Sequence, residues 1–82
     1  MSEELAAGRE PRSGSSVEIQ VNGKGREVRR GITVLELLEE LEVHPGLVVV
    51  ERNREILDRE RYAEVEVTEG DRIELVHFVG GG

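Results

Sequence analysis

The run VEIQVNGKGREVR, residues 17–29, decides the fold of this 82-residue chain, because it encodes two strands and the turn that joins them. Val17, Ile19 and Val21 alternate with Glu18 and Gln20, the period-two pattern of a half-buried strand whose apolar face points inward. Asn22-Gly23 comes next. A type I′ turn needs positive φ at both central residues, and this pair accepts that geometry at little steric cost. The return strand is expected over about Gly25 to Arg29, with Val28 facing in.

Moving outward, the period changes from two to helical. Thr33 has Glu36 three positions on, which makes a capping box, and Ile32 and Leu37 are spaced as a hydrophobic staple. Such a cap contributes about 1 kcal/mol. Val34, Leu37, Leu38 and Leu41 then form one apolar stripe, leaving Glu36, Glu39 and Glu40 on the solvent side. Pro45 bars continuation and disfavours α geometry at His44, so the helix is expected to end near Glu42.

Leu47-Val48-Val49-Val50 reads as a strand that is either covered on both faces or has one face awaiting a partner. Asn53 marks a turn, Glu55-Ile56-Leu57 a brief edge strand, and Asp58 to Tyr62 a turn or single helical turn. Glu64 to Val67 alternates as a further strand, Thr68-Glu69-Gly70-Asp71 turns the chain, and Arg72 to Phe78 forms the final strand. This order defines an α+β fold, one helix on a mixed sheet of four to five strands. If Ile73 and Leu75 face the helix, parity puts Glu74, Val76 and Phe78 on the opposite face. Val76 and Phe78, with the adjoining Val79, are then the candidate partner-docking residues, unless a twist of the strand tucks Phe78 under a loop.

That strand runs without a spacer into Gly80-Gly81-Gly82. Three glycines lose more conformational freedom on ordering than any other tripeptide, so the ending suits a narrow slot in a partner better than an isolated domain. From Val79 to Gly82 the chain can reach roughly 13–14 Å. A free α-carboxyl, with a pKa of about 3.3–3.7, is an anion at neutral pH and a poor electrophile, so chemistry there needs prior activation. The alternative is a frayed, Gly-rich chain end.

Composition bounds the remaining choices. A domain of this size buries only about 60% of the surface its unfolded chain exposes, which argues against a deep internal active site. There is no cysteine, hence no thiolate nucleophile, thiolate metal site or disulfide. The 18 acidic against 11 basic residues, net charge −7, favour a basic protein partner over nucleic acid or an anionic membrane. One Tyr, one Phe and no Trp also leave little for base stacking. No segment has signal-peptide character or the roughly 20 apolar residues of a membrane span, so a cytoplasmic location is expected. His44 and His77 have no further His or Cys to complete a metal set and read as structural. Asp71 reads as an ordinary turn residue, and Arg52, Arg54, Arg59 and Arg61 as members of solvated ion pairs. Residues 1–16, rich in Gly, Pro and Ser and poor in large apolar side chains, read as a disordered tail.

Several short stretches together carry a family resemblance. They are Asn22-Gly23-Lys24, Leu37-Leu38, Val50-Glu51-Arg52-Asn53 with Glu55-Ile56, Arg59 and Tyr62, Gly70-Asp71, and the ending Val76-His77-Phe78-Val79-Gly80-Gly81-Gly82. In their order and spacing the chain resembles the ThiS family of thiamine-biosynthesis sulfur carriers over about Val17 to Gly82. The first sixteen residues are additional to that pattern, and the third glycine extends its minimal diglycine. The resemblance implies a ubiquitin-like β-grasp domain over residues 17–79, with first and last strands parallel at the sheet centre, and a flexible tail over 80–82. It further implies that Gly82 is the modified residue and that Gly80 and Gly81 are its approach. In that family a ThiF-like, ubiquitin-activating-type enzyme using ATP and magnesium adenylates the terminal carboxylate. A persulfide-derived sulfur, from a donor such as a cysteine desulfurase, then displaces AMP. The resulting thiocarboxylate is consumed by a ThiG-like thiazole synthase. The carrier is thus a co-substrate with no stably bound cofactor, not an enzyme. Two relatives in fate remain open at this point: the small subunit of molybdopterin synthase and a ubiquitin-like protein modifier.

Overall fold

The computed structural model describes residues 12–77. Its elements are a helical turn α1 (Arg12–Ser15), β1 (Ser16–Val21), β2 (Lys24–Arg29), α2 (Val34–Glu40), β3 (Val48–Arg52), β4 (Glu55–Leu57) and β5 (Arg72–His77). The strands form one sheet in the order β2-β1-β5-β3-β4. The last strand lies between the first and third, parallel to β1 through Gln20↔Arg72 and Val21↔Ile73, and antiparallel to β3 from Arg52↔Ile73 to Val48↔His77. This is the central parallel pair that the family resemblance implied.

The first hairpin forms as its sequence dictates. Asn22 and Gly23 take φ of 51° and 84°, and β2 returns in register with Val17 opposite Val28. A second turn of the same hand, with Asn53 at φ 53° and Arg54 at φ 74°, joins β3 to β4. Val17, Ile19, Val28, Val48, Val50, Ile73 and Leu75 line the inner face of the sheet and pack with Val34, Leu37 and Leu38 of α2. Ile32, Tyr62 and Val67 close the sides of this core.

The helix start combines a side-chain cap with a tertiary one. Thr33 Oγ1 accepts from the Glu36 N–H at 3.1 Å while Glu36 Oε1 accepts from the Thr33 N–H at 3.0 Å, the expected capping box. The next orphan amides go elsewhere: Val34 N–H donates to Val65 O and Leu35 N–H to Tyr62 O, both at 2.9 Å. Here the sequence expectation of a strand over Glu64 to Val67 is corrected. Only one bridge, Thr33↔Glu66, is present, because the backbone of this segment is spent on the helix N-terminus, with Val67 N–H also donating to Ile32 O.

The helix also stops earlier than Pro45 requires. After Glu40 and the cap Leu41, Glu42 adopts φ 61°, Glu42 N–H donates to Glu39 O, and Val43 N–H reaches back to Leu38 O. This is a Schellman closure with a non-glycine residue at its left-handed position. Left-handed geometry costs a non-glycine residue roughly 1–2 kcal/mol, part of which glycine gives back in chain entropy. Glu42→Gly, and likewise Arg54→Gly in the second hairpin, is therefore expected to raise stability by about 0.5–1 kcal/mol. Urea denaturation midpoints check it, and a lowered midpoint for both variants would refute the strain argument.

Order begins before Val17. Arg12–Ser15 form the helical turn α1, Arg30 N–H and Nε donate to Ser15 O and Gly14 O at 2.9 and 3.0 Å, and Ser16 opens β1 opposite Arg29. The boundary drawn at residue 16 from composition thus moves to within residues 12–16, because Arg30 supplies donors that composition does not show. Residues 1–11 lie outside the described part of the chain.

Candidate functional site

The candidate site is built around the end of β5, the last described strand. Along β5, Ile73 and Leu75 are buried against α2, while Glu74 and Val76 point to the opposite, outer face, as parity predicted. Val76 is 52% exposed and sits directly across from Val49 of β3, with Leu47 just before β3 also 56% exposed. One row further along, Glu74 faces Glu51, which in turn faces the exposed Ile56 of edge strand β4. The outer face therefore carries an apolar patch of Val49 and Val76 next to two carboxylates in direct opposition, with the exposed Leu47 just before β3. Like charges across a strand pair are destabilising in the free protein. A partner bringing Lys or Arg to that row removes the repulsion.

Of the residues selected from sequence, Val76 is placed on this face. Phe78, Val79, Gly80, Gly81 and Gly82 lie outside the described residues. Five residues, 78–82, can span at most about 17–18 Å when fully extended. Val49 belongs to the run Leu47 to Val50, one face of which the sequence left awaiting a partner, though it was not singled out there as a docking residue.

The start of β5 is fixed by a polar cluster that sequence alone understated. Asp71 is buried and accepts from Arg52 Nε at 2.9 Å, Asn53 Nδ2 at 3.1 Å, Thr68 N–H at 2.8 Å and Thr68 Oγ1 at 3.2 Å. It is thus the anchor of its turn, and Arg52 is a partner of a buried carboxylate, not a member of a solvated pair. Arg59 likewise donates from Nε to Pro45 O at 3.2 Å. The turn is fastened to β1 by Gly70 N–H on Glu18 O and by Glu18 N–H on Glu69 Oε1.

Burial by itself raises the Asp71 pKa, but the Thr68 N–H, then Asn53 and Arg52, outweigh it and hold the carboxyl below its ordinary 3.8. A carboxyl whose folded pKa is depressed stabilises the fold fully above its unfolded pKa, and that contribution is lost as pH falls through the folded value. Asp71→Asn is expected to cost about 1–3 kcal/mol at pH 7. Below about pH 4 the gap to the wild type should narrow. Denaturation from pH 2 to 7 reads this directly, and a gap independent of pH would show that the charge of Asp71 is not what matters. At the helix start, the Thr33 N–H first and the Arg29 guanidinium second lower the Glu36 pKa in the same sense.

His44 uses Nδ1 to accept from Gly46 N–H at 2.9 Å, capping a short 3-10 turn, while His77 is exposed at the end of β5. Among the described residues no group of three or more His, Cys, Asp or Glu is placed to hold a metal, and no helix is long and apolar enough to cross a membrane. Two shallow depressions of about 190 and 220 Å³ are lined by Arg52, Glu55, Asp58 and Arg61 among others, and by Glu18, Gln20 and Glu69 among others. Neither is lined by Val76 or His77.

A mixed five-strand sheet with parallel first and last strands, one helix on its inner face and a glycine ending after its central strand defines a ubiquitin-like β-grasp carrier architecture. The family model described as ThiS family matches residues 19–82, and the chain belongs to the ThiS family. It is 46% identical over 65 residues to the Sulfur carrier protein ThiS of Bacillus subtilis (strain 168), covering 78% of this chain and 98% of that one. It is 44% identical over 66 residues to a Thiazole synthase of Paramagnetospirillum magneticum, there covering 80% of this chain but 20% of the relative. Among solved structures, the crystal structure of the thiamine biosynthesis protein ThiS from Geobacter metallireducens superposes with a TM-score of 0.71 at 39% identity, over 80% of this chain and 100% of that one.

Proposed function

We propose that this chain is a sulfur carrier of thiamine biosynthesis whose Gly82 carboxylate is adenylated and then converted to a thiocarboxylate. The observation that carries the reading is the family match, which runs through to the final glycine. The chemistry is consistent with the chain's own groups. The inert carboxylate attacks the α-phosphorus of ATP, expelling pyrophosphate, and the resulting acyl adenylate is a competent acyl donor. A persulfide on an enzyme cysteine attacks the acyl carbon and displaces AMP, and a second enzyme thiol then cleaves the S–S bond of the acyl disulfide, forming an enzyme disulfide and releasing the thiocarboxylate; a carrier without cysteine has no thiol of its own to intercept the acyl group. A ThiF-like enzyme supplies the site for ATP and magnesium, a cysteine desulfurase the sulfur. A ThiG-like thiazole synthase receives it, a partner suggested by the relatives named Thiazole synthase that include a matching region. The carrier acts as co-substrate in the cytoplasm and is not itself the catalyst.

The test is the intact mass of the protein purified gently from its own cells. One oxygen replaced by sulfur, localised to Gly82, is the expected result, and a C-terminus that never carries sulfur while thiamine is being made would end the proposal. The docking side of the reading has its own check. Val76→Asp puts a charge into the exposed apolar patch, so it is expected to weaken binding to the activating enzyme at least tenfold, about 1.4 kcal/mol, with little change in stability. Titration calorimetry giving wild-type affinity would remove the patch from the interface.

A further inference from the structure

We infer that Asn22 is a positioning residue for the reaction at Gly82: its side chain continues the sheet edge past the end of β1 and so fixes the direction in which β5 delivers the tail. The inference rests on the functional reading above. β1 pairs with β5 only at Gln20↔Arg72 and Val21↔Ile73, after which the chain turns away through Asn22 and Gly23. Asn22 N–H donates to Ile73 O at 2.9 Å, and Asn22 Oδ1 then accepts from the Leu75 N–H at 2.8 Å. Leu75 is only 8% exposed, so water is a poor substitute for that acceptor.

From Val76 onward the described strand is paired with β3 alone, through Val49↔Val76 and Val48↔His77. A strand held along one edge can pivot about it, and the Asn22 bond is a second fixed point on the other edge. The beginning of β5 is held in a parallel way by the other left-handed asparagine. Asn53 N–H donates to Arg72 O at 2.8 Å, Asn53 Oδ1 accepts from Arg72 N–H at 2.9 Å, and Asn53 Nδ2 reaches Asp71 Oδ1 at 3.1 Å. Each hairpin thus presents a residue that tolerates positive φ and also carries an amide side chain, and both amides act on β5. Glycine meets only the first demand. The Leu75 bond thus fixes where the described strand ends at His77, and about 1 Å of misplacement at a reacting carboxylate can cost ~100-fold in rate.

The experiment compares Asn22→Gly, which keeps the type I′ turn and deletes the acceptor, with Asn22→Asp, which keeps both. Full-length chains are assayed by ATP–pyrophosphate exchange with the cognate activating enzyme and by amide hydrogen exchange at Leu75. Asn22→Gly is expected to lower kcat about tenfold with KM nearly unchanged, since the Val76 patch is intact, and to lower Leu75 protection about tenfold. Asn22→Asp is expected to restore both to within about threefold of wild type. Wild-type kcat in Asn22→Gly, or equal losses in the two variants, overturns the inference. A wild-type chain that supports no pyrophosphate exchange overturns the functional reading instead. The clamp is then decided by Leu75 alone, and unchanged protection in Asn22→Gly overturns it.

Discussion

Removing Gly82 is expected to reduce ATP-dependent adenylation at least about 100-fold while leaving the melting temperature unchanged. The carboxylate must arrive within attack distance of a nucleotide phosphorus, at the end of a run whose maximum span from His77 is about 17–18 Å. Shortening it withdraws the nucleophile by one residue, about 3.3–3.6 Å, several times the displacement that already costs two orders of magnitude. The fold loses nothing comparable, because glycine has no side chain to bury and the core of the described residues is complete from Val17 to Leu75. Gly80-Gly81 still leaves a diglycine ending, so the variant separates reach from flexibility. Adding a residue after Gly82 and making Gly81→Val test the same slot from its far end and its width. Pyrophosphate exchange beside a thermal melt decides the matter. Wild-type exchange in all three variants would mean that the glycine end is not the reactive one.

What the sequence disclosed and what it hid divide along the range of the interactions. The Asn22-Gly23 hairpin and the Thr33/Glu36 cap were legible because their geometry is dictated within four residues. The outward placement of Val76 followed from alternation alone. Glu64 to Val67 alternates equally well, yet its Val65 carbonyl serves the helix start beside that of Tyr62, a demand that arises only when Tyr62 and Val65 are folded against Val34 and Leu35. The same holds for Asp71. Its neighbours Glu69 and Gly70 signal a turn, whereas Arg52 and Asn53, which make it a buried anchor, are 18 or more residues away. The helix end near Glu42 was legible from Pro45, but its device was not: the left-handed Glu42 closes the helix before the proline is reached. The docking face was read at Val76, Phe78 and Val79; Val49 joins Val76 through the β3–β5 register and not through sequence proximity.

The largest stability effect is expected at Leu38, where truncation to alanine should cost about 2–5 kcal/mol. Leu38 is fully buried in the middle of the α2 stripe, with Val34 and Leu37 equally enclosed and the inner faces of β1, β5 and β3 opposite. Deleting its branched end removes the transfer free energy of the lost carbons and leaves a cavity that a close-packed interior fills only in part. A small domain has few alternative contacts with which to absorb the loss, and total stabilities of about 5–15 kcal/mol make the change a large fraction of the whole. Leu41, one turn on, is only half-buried against the same core. It provides the control. Leu→Ala slightly favours helix propensity at Leu38 inside α2, whereas Leu41 is the C-cap, so propensity works against the expected difference and packing carries it. Leu41→Ala is expected to lose well under half as much as Leu38→Ala. Urea unfolding with equal m-values reads both. Equal costs for the two variants, or less than ~0.5 kcal/mol for Leu38→Ala, would mean that the stripe does not carry the packing that holds α2 to the sheet.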